Sequence, residues 1–206
     1  MKKALLIALI TFGFSIQSYS FYTLTDLTSL IEKSDIIIYG EIYQIGTLNI
    51  KILVHEQLKG GNVTDTLQFR KFINWSCANR YAKYEIGQEA IFFLRIHDDN
   101  RIYGMGAGNE GEILVKDSIT YFQEYERAST EGQVVEFLNP YAKYILFDVQ
   151  LVIDGLRTYL NNIDIINREY EISPPGTVRI FNYEVMNISQ NDFYQYALKQ
   201  KRLKLL

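Results

Sequence analysis

The sequence predicts a mainly β protein of the α+β kind: a small antiparallel barrel or sandwich, preceded by one short helix and followed by C-terminal helices. Three observations predict it. Runs of β-branched and aromatic residues recur from Asp35 to Phe122 at intervals of about eight to fifteen residues, separated by Gly, Asp and Asn turn clusters. From Leu146 onward the apolar period changes to that of a helix. The composition, 48% hydrophobic and 14% aromatic with only 3 prolines in 206 residues, is that of a chain able to bury a core.

The elements follow in order. Lys2 and Lys3, the apolar run from Ala4 to Phe14 and the polar, small-residue stretch Ser15 to Ser20 have the plan of a secretory signal peptide, residues 1–20. A run of that length spans only ~16 Å as a helix, about half a hydrocarbon core. An exported chain, periplasmic or secreted, is therefore expected. Thr23 to Ser34 reads as a helix with Leu24, Leu27, Leu30 and Ile31 on one face and Thr23 or Thr25 as its cap. Asp35 to Ile45 is apolar on both faces, the mark of a strand buried on both sides. Asn49 to Leu58 alternates, and Lys59-Gly60-Gly61-Asn62 is a turn. Further strands are expected at Leu67–Phe72, Ala90–Ile96, Arg101–Tyr103, Glu112–Lys116 and Ile119–Phe122. These complete a β domain over residues 21–125.

Residues 126–206 read as an appendage packed on that domain. Val149, Val152, Ile153, Leu156, Leu160 and Ile163 keep helical spacing, with Asp148 placed to cap them. Pro174-Pro175-Gly176 breaks the chain, Val178–Val185 is a strand candidate, and Asn191–Arg202 is a last helix. Lys199, Lys201, Arg202 and Lys204 make a basic tail, either a helix docked on the barrel or one lying on an anionic membrane.

Four pieces of this order resemble a family of exported bacterial proteins with a TIMP-like or netrin-like module on an OB-type barrel. They are Leu27–Lys33 running into Ser34–Ile42, the strand ending Val54–Gly60, Cys77 before Tyr84–Leu94, and the glycine-rich stretch before the Gly111–Tyr121 hairpin. The resemblance implies an OB/TIMP-like barrel used for binding. It covers about residues 24–122, and it departs from the family at two points. Met105-Gly106-Ala107-Gly108 holds no partner for Cys77, and a mature chain beginning at Phe21 has no N-terminal cysteine to present to zinc.

The charge and motifs limit the function classes. A net charge of −3 gives no basis for nucleic-acid binding, and one cysteine excludes an internal disulfide framework. No G-x-S-x-G, H-E-x-x-H or P-loop occurs. Gly106-Ala107-Gly108-Asn109-Glu110-Gly111 matches G-x-G-x-x-G, but Ile113-Leu114-Val115 follows it as strand where a dinucleotide site needs a helix. Cys77 with His55 or His97 as base has no supporting context, and a lone thiol in an oxidising compartment can also bridge to a partner. His55 and Glu56 are adjacent and so expected on opposite faces of their strand; Asp98-Asp99-Asn100 is a turn that needs no calcium. No metal or cofactor is expected. A hydrolase built on Glu110, Glu112 and Asp117 is the enzymatic alternative, and a structural envelope component a further one.

The segment Asn74–Tyr84 stands out because it gathers the only Trp with two Tyr and two basic residues in one predicted loop. Aromatics with arginine are what recognition surfaces use. Trp75, Arg80, Tyr81 and Tyr84 are thus the candidate binding residues, for a protein or an extended envelope polymer. The opposing possibility is that Trp75 and Tyr84 fold back to plug the barrel end.

Overall fold

The computed structural model describes residues 25–74, 80–107, 110–124, 133–134, 143–171 and 189–203. The expected signal peptide, Trp75, Cys77, the strand candidate Val178–Val185 and the last residues of the basic tail lie outside them.

The elements are α1 (Leu27–Lys33), β1 (Ile36–Ile45), β2 (Asn49–Lys59), β3 (Thr66–Arg70), β4 (Glu89–Ile96), β5 (Ile102–Gly104), β6 (Glu112–Lys116), β7 (Ile119–Glu124), β8 (Gln133–Val134), β9 (Lys143–Asp148), α2 (Val149–Asn161), α3 (Ile163–Glu171) and α4 (Asp192–Leu203). Five strands close a barrel in the order β1-β2-β3-β5-β4, with β4 returning to β1. All its pairings are antiparallel except β3–β5, which is parallel and rests on the single pair Arg70–Tyr103. The predicted class, a small mainly β barrel with a preceding helix and C-terminal helices, is the observed one.

β1 shows why a strand can be apolar on both faces. Ile36, Ile38 and Ile42 join Ile50, Ile52, Phe69, Ala90, Phe92 and Leu94 in one cluster inside the barrel. Ile37 points the other way, into a second cluster with Ile91, Phe93, Ile113, Val115, Leu30, Ile31, Leu156 and Phe193. β1 and β4 are thus a wall between two cores, and period-2 alternation supplies both.

The helices close the second core. The α1 cap is Asp26, not Thr23 or Thr25: its carboxylate accepts from Ser29 N at 2.8 Å. The helix begins later than its leucine pattern suggested, so the capping position falls later too. Asp148 caps α2 as expected, accepting from the backbone N–H groups of Gln150 and Leu151. The residues before it hold an element the sequence pattern did not give. Lys143–Asp148 is strand β9, paired with β7 along six residues from Ile119–Asp148 to Glu124–Lys143. The appendage therefore continues the barrel's own sheet. α4 docks through Phe193, Tyr194, Ala197 and Leu198, all buried. Lys201 of the basic tail is buried as well, its ammonium donating to Glu32 of α1 and Asn167 of α3. Among the described residues no helix is long and apolar enough to cross a membrane.

Candidate functional site

The barrel has one irregular side. β5 covers the edge of β4 only from Leu94 to Ile96, and β6 takes over that edge from Phe92 to Glu89. β3 and β5 touch only at Arg70–Tyr103 and then separate. Lys71–Ile73 and Glu112 line a cleft beside Arg70 and Tyr103, and Arg80 is buried against Glu112.

Arg80 and Glu112 form an ion pair at 2.6 Å with side chains only 2% exposed. The guanidinium spends its other donors locally: Nη1 on Ala82 O at 2.9 Å, Nη2 on Tyr81 Oη at 2.9 Å and on Gln88 Oε1 at 2.7 Å. Its backbone N–H donates to Asn74 Oδ1. The rings of Tyr84 and Tyr81 lie 3.8 and 4.4 Å from the guanidinium carbon, both in cation–π range. Tyr84 Oη donates to Glu112 Oε1 at 2.6 Å and accepts from Phe72 N at 2.8 Å, tying both ends of the segment to β6.

The ionisation of these groups follows from that packing. Burial acts to lower the Arg80 pKa, but Glu112 and the two tyrosines outweigh it and hold it above its ordinary value. Burial, with the Glu112 carboxylate, holds the Tyr84 phenol well above its usual range. Tyr81 is raised chiefly by burial, against the pull of Arg80. The site therefore keeps one charge pair and two neutral phenols.

Of the four candidate binding residues, the structure brings Arg80, Tyr81 and Tyr84 together, and Trp75 lies outside the described residues. Arg80 is not on the surface. As a candidate binding residue Arg80 needs an exposed guanidinium, and the structure instead buries it against the Glu112 carboxylate, where a charge-assisted bond and three further acceptors satisfy it. Tyr84 folds back onto the barrel in the manner of a plug. Arg80, Tyr81 and Tyr84 are thus held against the barrel, and apolar residues outside the segment are exposed. Ile73 is 57% exposed and Ile86 70%, and Leu48, in the neighbouring β1–β2 turn, is 47% exposed. Lys71 joins the two loops through N–H to Leu48 O and Nζ to Gly46 O.

Clefts flank the stretch Lys71–Ile73. One, of about 310 Å³, has Arg70, Tyr103, Met105 and Glu112 on its walls; the other, of about 660 Å³, has Ile45, Asn74, Lys83 and Tyr84. Beside them, the register sets Arg70 against Tyr103 and Tyr103 against Arg95, so a row of cation, ring and cation crosses the outer strand face. Arg70 lies 5.9 Å from the Tyr103 ring centroid, and the His97 ring packs on Tyr103 at 4.6 Å. Sequence reasoning passed over this row because its members come from three strands.

The other motifs resolve simply. Gly106 has φ +67°, and β6 follows Gly111 at once, so the glycine-rich stretch leads into a strand with no helix after it. Glu110 accepts from Thr25 N and Ala107 N, and Glu112 is the Arg80 partner. Asp117 sits at φ +53° in the β6–β7 turn. Asp99 is held below the usual carboxylate range by its bonds from Arg101 in the β4–β5 turn. His55 and Glu56 correct an expectation: a bulge opposite Tyr39–Gly40 lets both face outward. His55 then lies 3.9 Å from Glu41 and packs on Tyr39, while Glu56 pairs with Arg157 of α2 at 2.5 Å.

Comparison with protein-family models, with curated proteins and with solved structures finds no match to this chain.

Proposed function

We propose that this chain is an exported, non-catalytic binding module, related to the TIMP-like or netrin-like barrels, that recognises a protein or extended envelope polymer through its barrel loops. One observation carries the reading. A buried ion pair fixes Arg80, beside Tyr81 and Tyr84, while Ile73, which lines both clefts, is left exposed, as are Ile86 and Leu48. Isolated exposed apolar residues need no explanation, but a large one on the wall of two clefts, such as Ile73, is what a partner covers. The anchoring also lowers the ordering cost of association for Arg80–Tyr84, which is already held before a partner arrives.

Electrostatics suggests the partner's character. The chain as a whole is acidic, yet Arg70, Lys71 and Lys83 stand on the cleft walls. An extended segment carrying acidic groups between apolar ones fits that lining.

The test is capture from envelope extract with the mature chain, residues 21–206, beside variants Ile73→Asp and Ile86→Asp. Both sites are exposed, so melting temperatures should match the parent. The expected result is a partner retained by the parent and lost by both variants. Equal capture by all three baits would discard the loop surface.

A further inference from the structure

We infer that the outer barrel face holds a divalent transition-metal site made by Glu41, His55 and Glu89, an assignment independent of the binding-module reading. The three residues come from β1, β2 and β4, and one ligand atom of each lies within 4.8 Å of the others. Ligand atoms around one such ion sit about 2.0–2.2 Å from it, hence at most about 4 Å apart. The His55 Nε2–Glu41 Oε2 separation of 3.9 Å already satisfies that limit. A small side-chain rotation brings in Glu89.

Two features of the strands point to a cation. Glu41 and Glu89 are directly opposite in the β1–β4 register. Like charges facing each other across a strand pair are destabilising, and among the described residues no Lys or Arg forms an ion pair with either. The second feature is the bulge in β2. Without it, His55 and Glu56 would take opposite faces; with it, Glu56 reaches α2 and His55 stays over Glu41. Gly40 makes the bulge possible, because a Cβ there would lie 2.4 Å from Leu53 O.

The surroundings match those of a ligand set. Tyr39 Oη donates to Glu89 Oε2 at 2.8 Å, and the Tyr39 ring packs edge-on against His55 at 5.3 Å. Such outer bonds hold ligands in the orientation an ion needs, which makes Tyr39 a positioning residue. One imidazole with two carboxylates favours zinc or manganese over calcium, which takes six to eight oxygens. Three protein ligands on a half-exposed surface leave coordination positions open to water or to a group from outside.

The experiment is calorimetric titration of untagged, chelator-treated mature chain with zinc chloride, repeated with manganese chloride. The expected result is one ion per chain, with affinity reduced at least a hundredfold in His55→Ala and Glu89→Gln, and unchanged in His97→Ala. Tyr39→Phe should weaken binding about tenfold while leaving stoichiometry alone. Metal-free Glu41→Gln should melt no lower than the parent, because it removes one of two facing charges, and yet bind metal poorly. That separates lost ligation from lost folding. No saturable binding tighter than about 1 mM, or equal binding by parent and His55→Ala, would overturn the assignment.

Discussion

Replacing Arg80 by alanine removes the guanidinium that Glu112, Gln88, Tyr81 and Ala82 all contact. Glu112 would keep only the Tyr84 hydroxyl among those donors while its side chain remains 2% exposed. Breaking a buried pair from one side costs about 3–5 kcal/mol, because a charge is left without its counter-ion. Against a total of about 5–15 kcal/mol that is a large fraction. For a chain of this size each 1 kcal/mol moves Tm by about 2–4 °C, so a fall on the order of 10 °C is expected. Arg80→Met combined with Glu112→Leu removes both charges and should recover much of the loss, giving a favourable coupling in a double-mutant cycle. Circular-dichroism melts and urea titrations read both quantities. An Arg80→Ala cost below about 1 kcal/mol, as exposed pairs give, would refute the claim that Arg80 anchors the loop from inside.

Other outcomes follow from the same geometry. Tyr39, Tyr81, Tyr84 and Tyr194 should stay protonated at a pH where ordinary phenols ionise, Tyr194 being pushed up to about 12 by burial. These raised values make the folded chain hold protons that the unfolded chain releases, so stability falls as pH rises above about 10. Absorbance at 295 nm, followed with and without denaturant, should show the delayed group; a single transition near the free-phenol value in the folded chain would contradict it. Gly40→Ala should destabilise by about 1–3 kcal/mol or more, since its Cβ meets backbone that cannot turn aside. A melt within 1 °C of the parent would show that the strands there do not approach so closely.

The barrel was legible because its signals are local. Alternation in Asn49–Leu58 and two-sided apolarity in Asp35–Ile45 each need only neighbouring residues to be read, and both strands are where they were expected. β9 was not, because its partner β7 lies across an intervening stretch and Lys143–Asp148 carries little alternation of its own. The aromatic, basic composition of Asn74–Tyr84 was likewise visible, but not the direction of its arginine. That depends on Glu112, thirty-two positions on, at the start of a strand whose apolar residues draw attention away from it. The Glu41–His55–Glu89 group was hidden for a similar reason. Strict alternation put His55 and Glu56 on opposite faces, and a one-residue bulge is not written in composition.

The wall formed by β1 and β4 has a consequence for modularity. Over Ile36–Ile38 and Ile91–Leu94 its strands wet neither face: one side belongs to the barrel interior, the other to the layer beneath the helices. The barrel is therefore not a portable unit that could be transplanted without its C-terminal half, as Ile37, Ile91, Phe93, Ile113 and Phe122 would become one continuous oily surface. The two halves are obliged to inherit together. Sequence drift in the helices is constrained by the strands as tightly as the strands are by each other, and any shortened version of this chain must find a substitute lid before it can exist alone.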